Sequence, residues 1–363
     1  MKKIPLICIL SSCLFLPSID SVSAAEFGLF GDVIYSQSDA AEENGAFGLG
    51  ALDFYAAARL NDNTEVFIEY VFEETQDGLI TDLERLWIKR FFSDRFELGA
   101  GRFHTPLGTW NRTYHHGAFL QDTVSRPFFL EFEDGASAVL PTHIVGLLSS
   151  GTFILDKGEF SYEAYIANGF SLDSSKAKPE IEINTNADPN QDKTLGFRLT
   201  YGFDELPLQL GLMFMDNAIA ESAEGNSGNW GIAFGETLIE QQITGFDIKS
   251  ETENFYFLLE YYNLNNDSKV GNIEKHTGYA YYAQLGYKIN PTNRLIYRYA
   301  DLSVDDNDDY FLILNIKNQT RNVIAYRYDL DDSNSLKFEL NHSTPDNGSD
   351  ITTGTLQWSF LVP

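Results

Sequence analysis

The feature that most constrains this chain is an alternation with a period of two. It recurs between short polar turns almost to the C-terminus. Tyr279, Tyr281, Ala283, Leu285, Tyr287 and Ile289 make one face of a segment whose other face is Ala280, Tyr282, Gln284, Gly286 and Lys288. The pattern returns over Leu195–Phe203, where Arg198, Thr200 and Gly202 share the second face. It returns again as Leu336, Phe338, Leu340 against Lys337, Glu339, Asn341, and as Leu356, Trp358, Phe360 against Thr355, Gln357, Ser359. A period of two is the mark of a β-strand. Strands that are apolar on one face and wet on the other suit a sheet closed on itself, with lipid outside and water inside. Closure leaves no unpaired backbone edge facing lipid.

The N-terminus sets the compartment. Lys2 and Lys3 precede an apolar run from Ile4 to Leu16, and Val22-Ser23-Ala24 offers residues that a signal peptidase reads. The run is too short to span a bilayer, so a secretory signal is expected over residues 1–24, with a barrel over 25–363. A lipobox-like Leu10-Ser11-Ser12-Cys13 is the weaker alternative, because the apolar run continues past Cys13. The 2 cysteines, Cys8 and Cys13, both lie in that signal. The remainder therefore holds no disulfide, thiolate metal site or cysteine nucleophile. No other stretch approaches the about 18 apolar residues a transmembrane helix needs.

An exported chain of many strands is either a soluble β-protein or an outer-membrane barrel. The 28 Phe and 19 Tyr fall at alternate positions and gather near strand ends (Tyr261-Tyr262, Tyr297 and Tyr299, Tyr326 and Tyr328), as girdles at two lipid interfaces would. A net charge of −28, from 53 acidic and 25 basic residues, argues against nucleic acid as a partner, because phosphate binding needs a basic face. The acids cluster between strands at Glu42-Glu43, Glu73-Glu74, Glu180 and Glu182, Asp305-Asp306 and Asp308-Asp309. The plain reading is a solvated loop surface. The sharper one is divalent cations bridging these loops to anionic lipid headgroups.

Sixteen segments carry the pattern, from Phe27–Ser36 to Thr352–Leu361. The connections alternate in length. Asn61–Asn63, Ser93-Asp94, Asp156–Gly158, Glu205-Leu206, Ser250–Glu253, Asn290–Asn293 and Asp331–Asn334 are short and rich in turn residues. Long ones such as Ser171–Asp192 and Asn217–Gln241 lie between them. Short periplasmic turns and long outer loops are the barrel pattern, and about 21 residues per strand with its share of loop is a reasonable load. The expected fold is an all-β transmembrane antiparallel barrel of about sixteen strands. Eighteen are possible if Tyr310–Lys317 forms a further hairpin.

Leu83–Arg102 reads Leu-Glu-Arg-Leu-Trp-Ile-Lys-Arg-Phe-Phe, Ser-Asp-Arg, Phe-Glu-Leu-Gly-Ala-Gly-Arg, continuing as Phe-His-Thr-Pro-Leu-Gly. It resembles the fourth and fifth strands of Gram-negative porins, whose Gly-Arg-x-x-Thr-Pro-x-Gly run precedes an inward-folded third loop. Ala325-Tyr326-Arg327-Tyr328-Asp329 with Leu336-Lys337-Phe338-Glu339 is similar to the last hairpin of the porin and phosphate-selective-porin-like group. Porins often end on an aromatic residue, whereas here Phe360 is followed by Leu361-Val362-Pro363. The resemblance implies a homotrimeric channel for small hydrophilic solutes, set in outer-membrane lipid and lipopolysaccharide.

Sixteen strands enclose a lumen too wide for side chains alone to fill. The longest connection, His104–Thr142, is the constriction candidate, because an exposed tip would not hold Trp110, Phe119, Phe128, Phe129 and Phe132. Arg102, Arg112 and Arg126 sit at or in this loop, and Glu131, Glu133 and Asp134 follow. Facing basic and acidic groups would give a transverse field that sorts ions. By resemblance, Arg102 falls where the family has a wall arginine, and Glu131, Glu133 and Asp134 fall in the loop that supplies the acids. Arg85 and Arg90 are further wall candidates of opposite parity, so only one faces the lumen without a bulge. Arg102 shares parity with outward Phe96, Leu98 and Ala100, and needs either a bulge at Gly99 or Gly101 to turn in or a position above the lipid. A network that merely pins the loop is the competing reading of these charges. Tyr256, Tyr262 and Tyr282 face inward and either start an aromatic slide or serve packing.

His104, His115, His116 and His143 match no trusted metal spacing, so no metal or cofactor is expected. The acidic balance favours cations, while unneutralised arginines at the constriction would favour anions. A substrate-selective anion or phosphate channel and a non-conducting anchor or adhesin remain the alternatives. No spaced Ser, His and Asp motif supports an enzyme.

Overall fold

The computed structural model describes residues 25–40, 44–75, 78–115, 117–131, 138–176, 178–183, 192–222, 233–271, 273–346 and 348–363. The expected export signal, residues 1–24, lies outside them. Seven strands run first: β1 (Glu26–Ser38), β2 (Ala46–Asn61), β3 (Thr64–Thr75), β4 (Gly78–Ser93), β5 (Phe96–His104), β6 (His143–Leu155) and β7 (Gly158–Asn168). A small hairpin, β8 (Ser171–Asp173) and β9 (Glu180–Glu182), follows. Nine more strands complete the chain: β10 (Lys193–Phe203), β11 (Leu208–Glu221), β12 (Thr237–Glu251), β13 (Phe255–Ser268), β14 (Lys275–Asn290), β15 (Asn293–Ser303), β16 (Gln319–Asp331), β17 (Asn334–Pro345) and β18 (Ile351–Val362). Each of β1–β7 and β10–β18 pairs antiparallel with two neighbours, and β1 closes the sheet on β18 through pairs such as Val33↔Trp358. The result is a closed barrel of sixteen strands.

The alternation is obeyed as a division between lipid and lumen. Leu285 and Tyr287 on β14, Leu212 on β11 and Trp358 on β18 are among the large apolar side chains exposed on the outer face. Ala280, Tyr282 and Gln284 of β14 are buried on the inner one. Such an apolar exterior is what a hydrocarbon surround requires. Among the described residues no helix is long and apolar enough to cross a membrane. The strands run further than the sequence indicated on the outer side. β11 continues to Glu221 and β12 begins at Thr237, pairing with each other as far as Ala220↔Thr237, and β8 adds a short parallel pairing to β11 (Ala220↔Ser171).

The possible hairpin at Tyr310–Lys317 is instead a helix, α2 (Asp309–Leu314), so the eighteen-strand count does not hold. Asp308 caps it by accepting from the Tyr310 amide at 3.0 Å, and Asn315 ends it at φ 59°. Tyr310 and Phe311 are buried, and so are Asp308 and Asp309, which are internal groups rather than members of a solvated outer surface.

The core sits inside the barrel. Trp110, Phe128 and Phe129 of the third loop, Phe170 and Leu172 of the fourth, and Tyr310 and Phe311 of α2 form one cluster with inner-wall residues such as Met213, Met215, Tyr262 and Tyr282.

Candidate constriction site

The third loop, residues 105–142, turns inward from a tied neck. His104 and His143 are register partners, the Thr105 amide donates to Thr142 O at 2.9 Å, and Asn111 Nδ2 bridges Thr105 O and Thr142 O. The loop begins with a short helix, α1 (Gly108–Thr113), that has no side-chain cap of its own. The opposite wall supplies one. The Trp110 amide donates to Glu260 on β13 at 2.6 Å, and Thr109 Oγ1 donates to Asp247 on β12 at 2.8 Å. Arg198 of β10 binds both Asp247 and Thr109. The Trp110 ring packs on Tyr282, and Phe129 packs on Tyr262 and Tyr282. Tyr262 and Tyr282 therefore hold the loop; they do not begin a slide.

Beyond α1 the loop crosses a basic wall. Arg294 on β15 stands opposite Arg327 on β16, which stands opposite Lys337 on β17. Like charges directly across strands repel, and the loop resolves this. Arg294 reaches Asp122 at 2.7 Å and Asp329 at 3.0 Å. Arg327 donates to Asp329 and to the carbonyls of Phe119 and Gln121, and Lys337 donates to Ala118 O. One turn up, Arg298 is 1% exposed and donates to Thr123 Oγ1, Ser125 O, Ser125 Oγ and Arg126 O, all at 2.8–2.9 Å. Glu339 accepts from the Val124 and Ser125 amides. Further round the same side, three strands beyond β17, the Gly117 amide donates to Asp53 on β2.

The sequence-derived residues distribute unevenly over this geometry. Arg112, on α1, pairs with Glu163 of β7. Arg85 faces inward and pairs with Glu69 at 2.6 Å, while Arg90 bonds Asn61 and Thr64 near a short turn. The register shift between Glu69 and Tyr70 bulges β4 at Glu84 and lets Glu84 stay inward beside Arg85, within 3.1 Å of His143. Arg126 stays within the loop, bonded to His115 Nδ1 at 3.0 Å and to His115 O. Glu131 pairs with Arg321 of β16 at 3.7 Å, and burial raises its carboxyl above the usual range. Glu133, Asp134 and His116 lie outside the described residues.

Arg102 does not gain its place through a register-shifting bulge. Pairing across β4–β5 is regular here, and Gly101 takes φ +134° instead. Arg102 is buried, its Nε donates to Glu84 O at 2.9 Å, and its terminal nitrogens have no hydrogen-bond partner among the described residues. Its place is on β5 beside the loop's neck, where its bond runs to the backbone of β4.

His104, His115 and His143 come together, with candidate ligand nitrogens within 4.8 Å of one another. Three imidazoles are a plausible donor set for zinc, copper or nickel. Here the His115 Nδ1 faces the Arg126 cation and the His143 Nδ1 faces Glu84, so both nitrogens already serve the neck.

Sequence reasoning did not assign Arg294, Arg298, Arg321 or Lys337 to the site. The available signal was their inward parity among outward tyrosines such as Tyr297 and Tyr299.

No family model matches the chain, and no curated protein does. Solved structures do. An anion-selective porin from Comamonas acidovorans aligns at TM-score 0.60 and 11% identity, over 93% of this chain and 99% of its own. The outer membrane channel DcaP of Acinetobacter baumannii aligns at TM-score 0.60 and 12% identity, over 93% and 96%. The trimer form of OmpT, an outer membrane protein of Vibrio cholerae, aligns at TM-score 0.59 and 10% identity, over 94% and 100%. At these identities the likeness is one of fold, and the chain has the fold of Gram-negative outer-membrane porins.

Proposed function

We propose that this porin-fold barrel is a non-enzymatic outer-membrane channel through which small hydrophilic solutes and ions diffuse passively past a charged constriction. In this reading it is exported by the signal at residues 1–24, assembles as a homotrimer, and sits among outer-membrane lipid and lipopolysaccharide. The observation that carries the reading is a long loop folded into the lumen and bonded to the wall at β2, β7, β12, β13 and β15–β17. It narrows the barrel, yet Arg85, Lys89 and Arg112 on the other side stay partly exposed. The proposed constriction comprises Arg85 and Arg112 on its open side, Arg102 and Arg126 fixing the loop's neck, Glu131 against Arg321, and Glu133 and Asp134 on the loop beyond.

The open-side charges come in pairs: Arg85–Glu69, Lys89–Glu97 and Arg112–Glu163. Paired charges give weak selectivity, and outer acids then tip it toward cations. Reversal potentials under a potassium chloride gradient test this. Arg112→Gln is expected to move the potential toward the cation limit and Glu163→Gln toward the anion limit. Two variants moving together, or neither moving, would contradict a field set by this pair. The apolar cluster joining the third loop, the fourth loop and α2 inside the barrel favours a second reading, a plugged anchor. That reading predicts an inserted barrel with no current.

A further inference from the structure

The inner wall beside the third loop carries a row of rings. Phe30, Tyr55, Phe67 and Trp87 occupy inward positions on β1, β2, β3 and β4, with successive centroids 5.6, 6.2 and 5.5 Å apart. Phe67 and Trp87 are register partners and lie 13° from parallel. Cations lie by two of these rings: the Arg85 guanidinium sits 4.4 Å from the Phe67 centroid and Lys89 Nζ 5.1 Å from that of Trp87. At the Trp87 end a cavity of about 180 Å³ opens between the wall and α1. Arg85, Trp87, Lys89, Phe103, His104 and Arg112 line it. No carboxylate does, among the described residues, although each cation is paired with one outside the lining: Arg85 with Glu69, Lys89 with Glu97 and Arg112 with Glu163.

Flat apolar walls and three cations on one small cavity select for a particular chemistry. A neutral ring would not engage the three cations that line the cavity beside their carboxylate partners. A small hydrated anion such as phosphate would keep its water and gain nothing from Trp87 or Phe103. A saturated carboxylate of the same size would lose the stacking geometry. We propose that this cavity binds small aromatic carboxylates, with the ring stacked on Trp87 and the carboxylate held by Arg112 and Lys89. The proposal deepens the channel reading, on which it depends for a route to the cavity.

Saturation-transfer NMR on the full protein, extracted from outer membranes into detergent micelles, tests binding without reference to current. Benzoate is the probe, with cyclohexanecarboxylate and benzyl alcohol beside it. Benzoate is expected to bind saturably and both comparators at least tenfold more weakly. Trp87→Leu and Arg112→Gln should each weaken benzoate at least tenfold, and Lys89→Arg should retain it. Folding of every variant is read from heat-modifiable migration on gels. Equal binding of cyclohexanecarboxylate, or benzoate binding unchanged in both weakening variants, would overturn the site, while a bilayer current would leave the channel reading standing. Saturable benzoate binding that obeys the variants, in a barrel that carries no current, would support the site and sink the channel instead.

Discussion

At the scale of single residues, two positions bear unusual burdens. Gly101 lies at φ +134°, and an added Cβ would stand 2.1 Å from Leu86 O. Gly101→Ala is expected to cost about 1–3 kcal/mol in backbone strain alone, plus the clash. A fall in unfolding temperature of the inserted barrel would show it, and an unchanged one would refute the strain. Asp308 is the other. Burial lifts its carboxyl from an ordinary 3.8 to about 6 while it caps α2 and accepts from Asn266. A folded-state value above the unfolded one means that protonation favours the docked helix. The contribution is complete below about pH 4 and is lost as pH rises through about 6. Hydrogen exchange over residues 304–318, corrected for intrinsic rates, should be slower at pH 5 than at pH 7.5. Asp308→Asn should abolish the difference, and its persistence would assign the effect elsewhere.

Among the elements, the third loop depends on one buried cation more than on any other. Arg298 gathers Thr123, Ser125 and Arg126. Arg298→Ala leaves the Ser125 and Arg126 carbonyls and the Thr123 hydroxyl without this donor, at a cost to loop docking on the order of 3 kcal/mol. Limited proteolysis should then cut within 117–131, where the unaltered protein resists; continued resistance would show the apolar packing of Trp110 and Phe129 to be sufficient. The strands were legible because lipid outside and water inside enforce a period of two on every one of them, as Tyr279 to Ile289 illustrates. α2 was not legible, because the apolar run from Tyr310 to Ile316 fits a short strand or a helix equally, and only Asp308 and Asn315 marked its ends. Within the site, the inward loop could be read from its aromatic residues and Arg85 from its parity. The basic wall could not. Arg298 meets Arg126 across a sequence separation of 172 residues, and nothing local shows which strand a loop will cross. Arg102 was placed by resemblance, but φ at Gly101, rather than a bulge, decided where it went.

The whole molecule is a closed sixteen-strand barrel with an interior core built from inward loops and the inner wall together, and with Arg85 and Lys89 of that wall facing Arg112 of α1 across a small cavity. The sheet closes along β1 and β18, from Leu29↔Val362 to Ser38↔Thr353. Whether water passes from one end to the other is the claim on which the function rests. The most direct measurement is single-channel recording in a planar bilayer, using protein extracted from outer membranes and shown by heat-modifiable migration to be folded. The account predicts stepwise, long-lived openings. A folded, inserted barrel that stays electrically silent would contradict it and establish the lumen as plugged.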